Sequence, residues 1–440
     1  MADTRLPYCS PYRLLAVLAP APATPGAAIH HAYAQFAWRS MGIQHVLLVA
    51  LLALLWPAIF VTMACMFTRK IGPSVARTTG KGLLRQLAEQ IWLAFAYSIP
   101  PDKYYVFELF RDERRAQASD YILRYELKGG LHNLMHFHAK EQAGGNSSKG
   151  ALKDKLQFSR ICRAGGVDAP IILVSLDQHG AVTPESHDQP SLPRDNIFIK
   201  PARGKGGRGC EKWIFDGSCY RGPGGQILSE GELIQHIAGL AARRGRYLVQ
   251  ECLENHQELR ELGDGITSVR ITSCRNESDS FEVTNATLKM SLQAGGSVDN
   301  FHQGGAVAKV DIINGVVGPA SDSWHKKPCT WHDVHPLTRA PIRGRTLPRW
   351  RETIAMVEKA HALFPDRIML GFDVAITDRG PVVIEGNVQS GCDMVQRTHD
   401  LPVGQQRLGQ ILAFHARRAS ATRPPKHMRW FGPLQYWRRR

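Results

Sequence analysis

The chain has 440 residues, enough at roughly 150 per domain for two or three structural units with a sizeable core. It carries 55 Lys and Arg against 39 Asp and Glu, a net charge of +16, in a sequence that is 43% hydrophobic and 21% charged, which excludes wholesale disorder. That surplus leaves three classes open: a nucleic-acid binder, a protein on an anionic membrane, or an enzyme for anionic substrates such as nucleotides.

Residues 1–41 read as a disordered N-terminal segment. Residues 40–68 contain no charge, and the apolar run inside them predicts a transmembrane helix over 42–67, kinked at Pro57. Arg69, Lys70, Arg77, Lys81 and Arg85 follow it, against Arg5, Arg13 and Arg39 before it, so the positive-inside rule predicts a single-pass protein of the cell inner membrane with a cytoplasmic body. Two alternatives stay open: a secretion signal with an overlong charged region, and a start at Met41 or Met63 that leaves a soluble cytoplasmic protein. Residues 68–145 read as helical, with Leu83, Leu84, Leu87 and Ile91 at helix spacing and a break at Pro100-Pro101. A Gly/Ser/Asn linker at 144–150 closes this region. Residues 151–415 alternate short β-branched runs with helical patterns near 229–244 and 348–364, an α+β texture. The tail, 416–440, is basic and aromatic and suits either an anionic membrane surface or plain disorder.

The nine cysteines are scattered without a C-x-x-C pair, the usage of a reducing compartment. Cys329, His332 and His335 lack a fourth ligand for zinc, and His132, His136 and His138 read as part of an amphipathic surface. The first segment with chemistry runs from Asn196 to Gly209. It reads as strand, glycine-rich loop, strand, with Gly204, Gly206, Gly207 and Gly209 letting backbone N–H groups close on phosphate while Lys200, Lys205 and Arg208 supply charge. A ligand-free hairpin would look the same.

The second segment, residues 368–387, reads as a hairpin turning at Asp378-Arg-Gly380. Partners summing to 758 put Val374 opposite Ile384 and Ile376 opposite Val382 on an apolar face. Asp373 then faces Glu385 on the other side, with Asn387 two residues along. Opposed carboxylates repel, so their placement beside an amide oxygen points to a hard divalent cation; the alternative is a solvated acidic face.

Together these segments resemble the ATP-grasp superfamily, and within it the sugar-transfer-associated group, with a more distant similarity to ribosomal-protein glutamate ligases and D-alanine–D-alanine ligases. Residues 101–107, the opening Asp154-Lys-Leu-Gln-Phe158, the Asn300-Phe-His-Gln-Gly-Gly305 run and the closing Glu385-Gly-Asn387 carry the resemblance over roughly 100–410. It implies an α+β fold of two lobes clasping Mg-ATP, preceded here by the helical region and the apolar helix. It also implies that Lys155 and Lys200 contact nucleotide phosphates, with the glycine-rich loop. Gln250, Glu251 and Leu253 of a hinge strand would read adenine, Glu258 the ribose, and Asn300 the phosphates and acceptor. Arg270 and Lys289 would neutralise the transferring phosphoryl group, unless they are exposed strand charges, and Asp373, Glu385 and Asn387 would hold Mg²⁺.

The activity implied is an ATP- and Mg²⁺-dependent ligase. It would activate a carboxylate as an acylphosphate for capture by an amine or similar nucleophile, in cell-surface polysaccharide biosynthesis. Donor and acceptor are unspecified. A phosphotransferase on the same fold and a non-catalytic, membrane-associated ATP-binding protein are the alternatives. No nucleic-acid partner is expected, because the charge comes without any helix-turn-helix, zinc-finger or RNP signature.

Overall fold

Two seven-stranded sheets, with every pairing antiparallel, carry the C-terminal part of the chain. The computed structural model describes residues 10–19, 23–186, 191–204, 206–263, 265–292, 305–322 and 330–421. Its N-terminal part is helical: α1 (Pro25–Ser40), α2 (Ile43–Thr79), α3 (Leu83–Tyr97), α4 (Pro101–Val106), α5 (Asp112–Arg115), α6 (Arg124–Glu126) and α7 (His132–Gln142). Later helices are α8 (Lys149–Lys153), α9 (Lys155–Ala164), α10 (Glu230–Arg244), α11 (Trp350–Ala362), α12 (Asp393–Thr398) and α13 (Arg407–Ala421).

The first sheet contains β1 (Ile172–Leu176), β2 (Val182–Pro184), β3 (Ile197–Pro201), β4 (Glu211–Phe215), β5 (Tyr220–Arg221), β6 (Ile227–Leu228) and β7 (Tyr247–Glu251), in the order β2-β1-β7-β3-β4-β5-β6. One face takes Leu233, Ile237 and Leu240 of α10, and the other takes Leu156 of α9 against Ile172, Ala202 and Leu248. The second sheet contains β8 (Ser268–Arg275), β9 (Phe281–Met290), β10 (Ala306–Val310), β11 (Val317–Ser321), β12 (Trp331–His332), β13 (Met369–Thr377) and β14 (Gly380–Asn387), in the order β12-β11-β10-β9-β8-β13-β14. Val357 of α11, Phe364 just beyond it and Phe158 of α9 bury one face of this sheet. The N-terminal helices reach the other face at its β10 side, where Val307 packs among Tyr104, Tyr105 and Leu123.

Four expectations need correction. The segment before residue 41, read as disordered, includes α1, whose start is fixed by Thr24 accepting a hydrogen bond from Ala27 N (3.2 Å) with Pro25 at the first helical position. Ile29, Tyr33 and Phe36 of this helix bury themselves against Ile411 and Leu412 of α13. The apolar helix, expected over 42–67, runs 37 residues to Gly80, which stops it in the left-handed conformation at φ 73°. It is long and apolar enough to cross a membrane, yet one side of it is buried against the protein.

In the hairpin, Asp373 does pair with Glu385 and Gly371 with Asn387, but Val374 faces Val383 and Ile376 faces Pro381. A bulge at Ile384 shifts the register by one, because the turn is two residues, Asp378-Arg379, between Thr377 and Gly380. His132 and His136 are likewise not surface residues. They are buried, with rings stacked at 5.6 Å; one bonds to Ser390 O and the other accepts from Ile368 N.

Candidate functional site

Alternation along four neighbouring strands builds one polar face on the second sheet. Arg270 of β8 lies directly opposite Asp373 of β13, which lies opposite Glu385 of β14; Lys289 of β9 is opposite Ser268, two residues from Arg270 on the same face. Arg270 grips Asp373 with two parallel bonds, Nε to Oδ1 at 2.6 Å and Nη2 to Oδ2 at 2.8 Å, and Lys289 Nζ lies 3.3 Å from Oδ1. Burial opposes ionisation of Asp373, but Arg270 and Lys289 outweigh it and hold the carboxyl well below the usual range. Asn387 Nδ2 donates to Glu385 Oε1 at 3.1 Å. Arg270 and Lys289 are therefore not exposed strand charges: both face Asp373 in a largely buried cluster.

Gly371, on the same face, admits the next loop. A Cβ there would lie 2.6 Å from Ser390 Oγ and 3.2 Å from Arg270 Cδ, so the loop after Asn387 could not close over the cluster.

The first sheet supplies the opposing positive charge. Lys200, at the end of β3, is only 4% exposed, and its ammonium makes no hydrogen bond among the described residues. Burial, then the neighbouring Lys155, push its pKa down to about 8, with Glu385 across the gap offsetting part of the shift. Lys155 opens α9, whose N-cap is Asp154; its backbone N donates to Ala202 O (3.0 Å) and its Nζ to Gly204 O (3.2 Å). The glycine-rich turn after Gly204 joins β3 to β4 as expected, and Gly206, Gly207 and Gly209 take φ of 73°, 68° and 78°. At Gly209 a side chain would also meet Tyr247 Oη at 2.6 Å.

The structure thus brings together Lys155, Lys200, Gly204, Glu385, Asn387, Asp373, Arg270 and Lys289. Other expected residues stand apart from this set. Gln250 is buried, and its amide oxygen has no hydrogen-bond partner among the described residues. The Glu251 carboxylate is already committed: Oε1 accepts from Ile171 N (2.8 Å) and from Arg379 Nη2 (2.6 Å) in the hairpin turn. That side chain ties the two sheets together. Leu253 is half-buried and Glu258 is exposed on a short 3-10 turn, Gln257–Leu262. Asn300, Lys205 and Cys329 lie outside the described residues.

Two clusters escaped sequence reasoning. In α4, Lys103 Nζ lies 3.2 Å from both Asp102 and Asp393, all three buried, joining the helical region to the first residue of α12. Deeper in, Glu108 meets Arg397 (2.8 Å), Arg114 (3.3 Å), Arg111 (3.2 Å) and the Trp331 indole N–H (2.9 Å). The signal available was the Pro101-Asp-Lys-Tyr-Tyr run, noted only as part of a resemblance.

Residues 142–403 match the family described as sugar-transfer associated ATP-grasp, and the chain belongs to that family. Among solved structures it is similar to an L-amino acid ligase from Bacillus licheniformis, at 12% identity over 73% of this chain and 62% of that one, with a TM-score of 0.37. It is also similar to the D-alanine-D-alanine ligase from Coxiella burnetii (9% identity, 62% of this chain and 61% of that one, TM-score 0.34). A third is VanG D-Ala:D-Ser ligase from Enterococcus faecalis (13% identity, 67% and 70%, TM-score 0.37). The chain spans about three-fifths of the length of the first two. No curated protein sequence matches it.

Proposed function

We propose that the protein is an ATP- and Mg²⁺-dependent ligase that converts a carboxylate to an acylphosphate and passes the acyl group to an amine or similar nucleophile. The observation that carries this reading is Lys200, a buried ammonium that makes no hydrogen bond among the described residues and has Glu385 as its carboxylate neighbour across the two sheets. A buried cation left in that state is costly unless an anion arrives to meet it.

The donor set of two carboxylates and an amide oxygen on one sheet face fits a hard divalent cation, so Asp373, Glu385 and Asn387 are the residues that would hold Mg²⁺. When bound, the ion supplies charge neutralisation on the phosphate oxygens. Lys155, Lys200 and the backbone of Gly204, Gly206, Gly207 and Gly209 receive the triphosphate. Arg270 and Lys289 then leave Asp373 in part to stabilise the charge on the phosphoryl group in flight. The substrate carboxylate attacks the γ-phosphorus, the bond to ADP breaks, and the amine later displaces phosphate from the acyl carbon. Gln250, the backbone at Glu251 and Leu253, and Glu258 are assigned to adenosine, and Asn300 to the phosphates and acceptor.

The family's description, sugar-transfer associated, is what favours an acceptor linked to surface polysaccharide, and the one long apolar helix is what favours the inner membrane, with the catalytic body in the cytoplasm. The test is product analysis with Mg-ATP and panels of carboxylates and amines. ADP release with hydroxamate formation on adding hydroxylamine is expected. ADP with a phosphorylated alcohol and no hydroxamate would instead make it a phosphotransferase.

A further inference from the structure

The buried side of α2 recurs at Val49, Trp56, Phe60, Phe67, Ile71 and Val75, while Ile43, Leu47, Leu51, Leu54, Val61 and Met66 on its other side face outward. The outward set spans residues 43–66, about 36 Å of helix at ~1.5 Å per residue, with no charged side chain. A lone spanning helix would be lipid-facing all round. This one is uncovered over most of its apolar stretch, of which 22% is buried, yet it keeps one side against the core.

Both of its ends belong to one folded body. Before it, α1 is held by Thr24 Oγ1 to Asp120 (3.1 Å), His30 Nδ1 to Glu126 (2.6 Å) and Arg39 Nη1 to Ser420 O (2.6 Å). After its apolar stretch, Gln90 Nε2 donates to Thr68 Oγ1 (2.7 Å) and Gln86 Nε2 to Gly72 O (3.1 Å), which fastens α2 to α3. Between these points Tyr12 Oη donates to Ala53 O (2.8 Å). If α2 crossed a bilayer, α1 and α3 would lie on opposite sides, and every one of these contacts on one flank would be lost.

Charge indicates what covers the outward face. Residues 4–88 contain no Asp or Glu but do contain Arg5, Arg13, Arg39, Arg69, Lys70, Arg77, Lys81 and Arg85, and no acidic residue follows Asp400. Arg39 and Ser420 bring the start of the basic tail to the start of α2. Exposed Leu15 and Phe95 flank the helix where Tyr12 spans Ala53 and the Phe95 ring. Arg13 is buried against Glu126, and Lys81 and Arg85 pair with Glu89 and Asp112, but Arg39, Arg69, Lys70 and Arg77 are exposed along the helix, and an apolar stripe with that basic flank matches an anionic lipid surface.

We infer that α2 lies lengthwise in one leaflet of an anionic bilayer as a monotopic anchor and does not cross it. This goes beyond the proposed reaction and does not depend on it. The test uses the full chain in two assays. Flotation with phosphatidylcholine vesicles containing 30% phosphatidylglycerol should recover the protein, and Leu47→Glu with Leu54→Glu should cut partitioning at least about tenfold while leaving the melting temperature unchanged. An epitope at the N-terminus should be cleaved by protease from the same membrane face as the catalytic body. Protection of the epitope on the opposite face overturns the inference. So does unchanged flotation of the double variant, its conversion of a dimer to monomers without loss of flotation, or a rise in flotation when 422–440 are removed, which would assign the face to the tail.

Discussion

Lys200 combines two properties that pull against each other, burial and charge. Its ordinary pKa near 10.5 falls to about 8 in the fold, so the free protein loses this cation as pH rises through 8. Nucleotide binding should weaken on that limb, and kcat/KM for ATP should fall with it while kcat stays level, since bound phosphate holds the proton in place. Lys200→Arg should remove the limb, because guanidinium stays charged. Lys200→Met should abolish nucleotide binding by calorimetry yet raise stability at pH 7 by about 1–3 kcal/mol, because the buried charge is gone. A less stable Met variant would contradict that account. Asp373→Asn acts oppositely: it should stop ADP release and also destabilise by about 3 kcal/mol in denaturant unfolding, since Arg270 and Lys289 lose their partner. Much of this cluster was legible in sequence, because side chains alternate strictly along strands and a short turn fixes which residues face one another. The ion pairs were not legible: Arg270 and Lys289 come from strands about a hundred residues before Asp373, and nothing local announces that pairing.

The β13–β14 hairpin shows where pattern reading stops. Period-two logic placed Asp373, Glu385 and Asn387 together, but the bulge at Ile384 moved the apolar partners by one residue, and bulges answer to sheet twist rather than to local sequence. Its turn is anchored from outside by Asp378, which accepts from Gln257 N (2.8 Å) and Arg260 (2.6 Å), while Arg379 reaches Glu251. Arg379→Ala should therefore loosen the two sheets against each other and raise KM for ATP several-fold with a smaller change in melting temperature, measurable by steady-state kinetics. Helix α12 depends on Arg397, whose guanidinium meets Glu108. Burial opposes ionisation of Glu108, but Arg397, Arg114 and Arg111 keep its pKa below the ordinary 4.5. Its ion pairs stabilise above that value and are lost as pH falls through the depressed one. Glu108→Gln should cost about 3–5 kcal/mol at pH 7, with the difference from the parent shrinking in acid. At α1 the cue was present and went unused: Thr24-Pro25 is a helix start, masked by the Pro- and Ala-rich run before it.

The two sheets, the helical region and the α1–α13 pair make one interdependent body. The α+β character and the order of the motifs could be read from the sequence, because glycine-rich turns and alternating strands leave local marks. The closure of α1 on α13 could not, since it joins residues nearly the whole chain apart, as the Arg39 to Ser420 bond shows. A chain beginning at Met41 would lack α1 and bare the Ile411 and Leu412 surface, removing on the order of 5 kcal/mol or more of burial, comparable with total stability. Such a variant should be recovered as aggregates, and a soluble product with the parent melting temperature would refute this.

That closure also has a consequence in time. The ribosome releases the apolar face of α2 long before α13, which completes the seat of α1 beside it. Throughout synthesis the nascent chain thus displays about two dozen apolar residues with no finished protein behind them. A lipid surface nearby would shelter that stretch before the body closes, so delivery to the membrane would precede folding of the body rather than follow it.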